Sequence, residues 1–78
     1  MELVSYSYWK RNQIKAIFNR FPSSVVTFRM VRNYYFVYSV QWSEMDTMVI
    51  REDLKEMEWL LNEELGLVHF YKNRKRAY

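Results

Sequence analysis

Between Ser24 and Trp42 the chain alternates with a period of two on both sides of Arg32-Asn33, and no other feature restricts the fold as strongly. Val26, Phe28 and Met30 point one way, and Val25, Thr27, Arg29 and Val31 the other. Beyond the turn, Phe36, Tyr38, Val40 and Trp42 form a second apolar face, with Tyr35, Val37, Ser39 and Gln41 opposite. The run is rich in β-branched and aromatic side chains, which fit a pleated, half-buried surface, so it predicts an antiparallel hairpin. Asn33 suits the turn because asparagine tolerates a positive φ.

The flanks are read around this hairpin. Val4, Tyr6 and Tyr8 alternate with Leu3, Ser5 and Ser7, which fits a short strand or an extended lead-in over Leu3–Tyr8. From Trp9 to Arg20 a helix is expected: Ile14, Ile17, Phe18 and Phe21 fall on one helical face, Ser7 serves as N-cap, and Pro22 closes the segment. Ser43–Asp46 reads as a loop, and Thr47–Ile50 as a third short strand or a lead into the next helix. That helix spans Arg51–Leu65, with Leu54, Met57, Leu61 and Leu65 as its inner stripe. Glu52 and Asp53 match the positive end of its dipole. Gly66 is placed for a left-handed C-cap, and Leu67 for the apolar contact that accompanies one. Leu67–Tyr71 reads as a final strand and residues 72–78 as a basic, flexible tail. The expectation is one α+β domain over residues 1–78: an antiparallel sheet of three to four strands around a central β-hairpin, packed with two amphipathic helices.

A chain of 78 residues has room for one core, and without cysteine no disulfide braces it. Apolar burial must suffice, and 19% aromatic residues supply it, since each ring buries roughly 150–250 Å². The same composition removes most chemistry. One glycine is too few for a phosphate-cradling loop, and His69 alone cannot make a structural zinc site. Glu44, Asp46, Glu52 and Asp53 lack the glycine that a calcium-binding EF-hand loop turns on. Neither a cofactor nor a small-molecule substrate is expected, and the chain reads as non-enzymatic. The one enzymatic class left open is a metal-independent ribonuclease of the toxin type, with His69, Tyr71, Lys72 and Arg74 as its groups. No secretory signal or membrane span is legible, and a cytoplasmic location is expected.

Charge is separated along the chain. Residues 1–43 hold six Lys/Arg against one Glu, residues 44–64 two against eight Asp/Glu, and residues 65–78 four against none. Two binding functions are compatible with this pattern. The first is a protein-binding module, an adaptor or inhibitor of the size common among phage and mobile-element accessory proteins, with self-association as a homodimer its simplest form. Its contact residues are Trp59, which falls on the charged side of the second helix with Lys55, Glu52, Glu56 and Glu63 (Asn62 being read on that side too), and the outer-face residues Tyr35, Val37 and Arg29 of the hairpin. The second is a nucleic-acid-binding module using Arg29, Arg32, Tyr34 and Tyr35, the tail cations Lys72, Arg74, Lys75 and Arg76, and Arg11 and Lys15.

Overall fold

A computed structural model describes residues 1–74 and shows an α+β fold in which four hairpin-connected strands precede two helices. The strands are β1 (Leu3–Tyr8), β2 (Gln13–Phe18), β3 (Phe21–Val31) and β4 (Tyr34–Gln41), and the helices are α1 (Arg51–Glu64) and α2 (Val68–Lys72). The sheet is an antiparallel meander in the order β1-β2-β3-β4. Every strand therefore pairs with its sequence neighbour, and β1 and β4 are the two edges.

The helix expected over Trp9–Arg20 is instead a turn followed by β2. Ile14, Ala16 and Phe18 are fully buried, while Lys15 and Ile17 between them are partly exposed. The apolar residues of this segment satisfy both periods, and Ala16, too small to stand out, is the position that makes the strand pattern complete. Asn12 takes a left-handed conformation (φ 62°), ending any helix before it could form. Pro22 lies near the start of β3, beside the irregularity between Ala16 and Phe18, where a missing N–H is tolerated.

The central hairpin is present with its turn at Arg32-Asn33, but the positive φ falls on Arg32 (57°). A bulge interrupts the β3–β4 ladder: Thr27 faces Ser39, whereas Phe28 faces Val37. Tyr38 is the extra residue, and the parity of β4 reverses across it. Tyr35 and Val37 thus turn toward the helices, Tyr35 being only 4% exposed, and Tyr38 turns out. The expectation that Tyr35 and Val37 lie on the outer face of the hairpin is corrected by this one-residue shift.

One face of the sheet carries the core. Ile14, Ala16, Phe18, Phe21, Val26, Phe28 and Tyr35 bury against Met57 and Leu61 of α1. Arg20 reaches across to α1, its Nη1 2.7 Å from Asp53 Oδ1, while Asp53 Oδ2 accepts the Ile50 N–H (3.0 Å) and so caps the helix start. Thr47–Ile50 forms no strand. The loop before it is tied to β3 by Asp46, which accepts from the Ser23 N–H (3.0 Å) and the buried Ser24 hydroxyl (2.6 Å).

α1 ends as its sequence indicates. Gly66 (φ 73°) donates to the Glu63 carbonyl (3.1 Å), Leu67 donates to the Asn62 carbonyl (2.7 Å), and Leu67 packs on the core. The segment after it is helical rather than a strand, because this cap reverses the chain and swings Tyr71 into the margin of β4.

The first half of the β4 edge, at Tyr35 and Val37, is closed by side chains. Tyr35 and Val37 turn their backbone groups away from β3, where α1 receives them. Asn62, expected on the charged side of the helix with Trp59, is instead fully buried against β4: it accepts the Tyr35 N–H (2.8 Å) and donates to the Tyr35 carbonyl (2.8 Å) and the Glu58 carbonyl (2.7 Å). Glu58 Oε2 accepts the Val37 N–H (2.8 Å), and its Oε1 accepts the Tyr71 hydroxyl (2.7 Å). Two side chains on successive turns of a helix thereby stand in for a fifth strand.

Candidate nucleic-acid interface

Neither α1 nor α2 covers the second face of the sheet, and its residues follow from the register. Ser7, Lys15, Thr27 and Ser39 form one cross-strand row, and Gln13, Arg29 and Phe36 form the next. No Asp or Glu occurs anywhere between Leu3 and Ser43, so this face cannot neutralise its own cations. Lys15 Nζ sits 3.7 Å from the ring centroid of Trp9, with Lys10 Nζ on the same ring at 5.7 Å. The Arg29 guanidinium lies 5.1 Å from the Tyr38 ring. Both residues are more than half exposed, so each ring is in part open to solvent beside a cation.

The meander concentrates charge further. The β1–β2 turn, with Lys10 and Arg11, and the β3–β4 turn, with Arg32, lie at the same end of the sheet. Among the described residues no ion pair involves Lys10, Arg11, Lys15, Arg29 or Arg32, whereas Arg20 is engaged by Asp53 and Glu56. Acidic residues gather on the helical layer, from Glu52 to Glu64. The molecule is thus polar across its thickness, with a basic aromatic sheet face opposite an acidic helix.

Of the expected nucleic-acid residues, Arg29, Lys15, Arg11 and Arg32 come together on this face and its rim. Tyr34 lies at the β4 margin with its ring 5.9 Å from Tyr71. Tyr35 is on the wrong side of the sheet for contact with a ligand there. Arg74 folds back on Tyr71, its guanidinium 3.8 Å from the ring and its Nη1 donating to the Tyr71 carbonyl (2.6 Å). Lys72 is exposed at the end of α2, and Lys75 and Arg76 lie outside the described residues. Trp9, Lys10, Phe36 and Tyr38 join the face only once the register is known. Alternation through residues 13–18 is the sequence signal for the first two, and the bulge conceals the others.

The expected protein-contact residues are more dispersed. Trp59 retains 38% exposure, but its ring packs edge-on against Tyr71 at 6.3 Å, so α2 supplies part of its cover. Lys55, Glu52 and Glu63 are exposed around it, and Glu56 faces Arg20 at 4.0 Å. His69 stacks on Phe70 (4.3 Å) rather than meeting Tyr71 and Arg74 in one cluster. Among the described residues no three His, Cys, Asp or Glu side chains are placed to share a metal ion, and no helix is long and apolar enough to cross a membrane.

Tyr71 holds α2 against α1 and the margin of β4, on the side of the sheet opposite the basic face. Burial, and then the hydrogen bond to Glu58, push its phenol well above the usual tyrosine value. A pKa raised by folding stabilises the protein below the unfolded value, about 10 for tyrosine, and that stabilisation is lost as pH rises further. Tyr71→Phe is expected to cost about 1 kcal/mol at neutral pH and to flatten the alkaline decline above about pH 10. Denaturant titrations of both proteins across that range would show it; parallel alkaline limbs would contradict it.

Comparison with known proteins places the chain in a family. A family model described as "Uncharacterised protein YuzH" matches residues 2–76, and the chain belongs to that family. No curated protein and no solved structure matches it.

Proposed function

We propose that this YuzH-family protein binds single-stranded nucleic acid on the open face of its sheet. The observation that carries the reading is the acid-free face on which Lys15 and Arg29 lie beside the exposed rings of Trp9 and Tyr38, with Lys10, Arg11 and Arg32 along one rim. Bases stack on exposed aromatic rings whatever their sequence, and neighbouring cations follow the phosphates. Four strands spaced about 4.8 Å apart make a face about 15 Å wide, room for about three nucleotides. The acidic helical layer repels the same ligand and so fixes which side it takes. The reading implies a cytoplasmic protein acting as a non-catalytic module.

Fluorescence anisotropy of a labelled 12-nucleotide oligo(dT) or oligo(U) tests it. Binding is expected at low salt, with a log–log salt slope of about −2 to −3 as three or four phosphates are neutralised. Quenching of tryptophan emission should accompany it. No binding at low salt would end the proposal.

A protein partner is the second reading, favoured by a separate observation. The loop after β4 leaves Trp42, Met45, Met48 and Ile50 exposed, Met45 by 83%. Methionine-rich apolar surface adapts to protein ligands. Charge reversal on the open face would leave such a partner bound while releasing an oligonucleotide.

A further inference from the structure

We infer that a second copy of this chain pairs antiparallel along β1, joining two sheets into one of eight strands with a continuous basic face. The pairing rests on β1 itself and stands whether or not the face binds nucleic acid.

Hydrogen bonding along the sheet fixes which backbone groups of β1 are free. Trp9 donates to the Gln13 carbonyl (3.0 Å), and Met30 donates to the Asn12 carbonyl (2.8 Å). In an antiparallel ladder these two bonds assign Ser5, Ser7 and Trp9 to β2, and turn the N–H and C=O of Tyr6 and Tyr8 outward. Among the described residues nothing receives them. The opposite edge differs over its first residues, where Asn62 takes the N–H and C=O of Tyr35 and Glu58 takes the Val37 N–H.

Apart from one bulge near its start, β1 also lacks the devices that discourage strand pairing. Its sequence, LVSYSY, contains no charge, proline or glycine, and Val4 and Tyr8 are 61% and 69% exposed. Its one irregularity is the bulge between Leu3 and Ser5, which leaves Ser5–Tyr8 in regular register.

Charge selects the partner. With Tyr6 opposite Tyr6 of the second copy, Ser5 meets Ser7 and Val4 comes beside Tyr8, so the Glu2 end of one copy lies near the Lys10 end of the other. Glu64 lines a hollow of about 320 Å³ with Leu3, Val4, Ser5 and Tyr6, and Glu63 joins Glu64 in a second beside Glu2 and Leu3. Into these acidic hollows the two-fold brings the Lys10-Arg11 turn of the other copy, and it does so twice. The axis of such a pair is perpendicular to the sheet, so both helical layers stay on one side and both open faces on the other. A parallel pairing would set Lys10 beside Lys10 and leave the acidic hollows empty.

Sedimentation of the full-length chain without nucleic acid tests this. A dimer is expected at micromolar concentration. Tyr8→Pro removes an outward N–H and an exposed ring without breaking a bond to β2, and should give a monomer with unchanged circular dichroism. Glu2→Lys and Lys10→Glu should each weaken association by about fivefold, and the double variant should restore it. A wild-type monomer at about 1 mM, a dimer indifferent to Tyr8→Pro, or a double variant no tighter than the singles would each overturn the inference. Open-face variants such as Lys15→Glu should leave sedimentation unchanged, so failure of the dimer and failure of oligonucleotide binding are separable.

Discussion

Replacing Asn62 by leucine is expected to lower stability by about 3 kcal/mol and the melting temperature by about 15 °C. The two side chains have similar volume, so the change in packing is minor. What leucine cannot do is accept the Tyr35 N–H or donate to the Tyr35 carbonyl, and Tyr35 is too buried for water to replace either bond. Each orphaned buried group costs about 1–3 kcal/mol. Asn62→Asp should be worse, because it keeps one acceptor, loses both donors and places a charge where the native residue has no exposure. Thermal melts followed by circular dichroism measure both. A shift of less than about 3 °C for Asn62→Leu would show that the edge is closed by something other than this amide.

Reversing Lys15 and Arg29 together to glutamate is expected to weaken oligonucleotide binding by about a hundredfold at low salt, with the salt slope falling by about 1.4. The slope change counts the two phosphates that are no longer neutralised, each worth about 0.7 on a single strand. Neither side chain takes part in an ion pair among the described residues, so the loss of stability should be no more than about 1–2 kcal/mol, the worth of the two exposed cation–π contacts. Anisotropy titrations at two salt concentrations give affinity and slope together. Trp9→Ala should act differently, lowering affinity while leaving the slope unchanged, because stacking releases no counterions. Equal affinity for wild type and the double reversal would remove the open face from any role in binding.

How much of the fold is legible in the sequence depends on the length of the local signal. Ser24–Trp42 announces a hairpin because its alternation runs through two strands. α1 is legible from its leucine and methionine spacing, and its end from Gly66-Leu67. The Trp9–Arg20 segment misleads because Ile14, Ile17, Phe18 and Phe21 obey a helical period as well as Ile14, Ala16 and Phe18 obey a strand period. Pairing with both β1 and β3 decides between them, and that pairing is a tertiary fact. The bulge at Tyr38 leaves no local mark, yet it moves Tyr35 and Val37 to the interior and brings Tyr38 to Arg29. Arg29, Arg32, Lys15 and Arg11 are picked out by charge alone. Trp9 and Tyr38, which give those cations their aromatic neighbours, require the register.

The amide of Asn62 and the carboxylate of Glu58 arrive late in synthesis. The four strands are complete by Gln41, and neighbour-to-neighbour pairing lets them assemble as soon as they clear the ribosome. Until Asn62 and Glu58 emerge and α1 forms, the Tyr35–Val37 stretch of β4 is a second open edge on the nascent sheet. On a polysome, where identical chains emerge side by side, that interval is when the protein is most prone to polymerise. Premature termination before Glu58 would make the interval permanent, and such fragments should be recovered as aggregates.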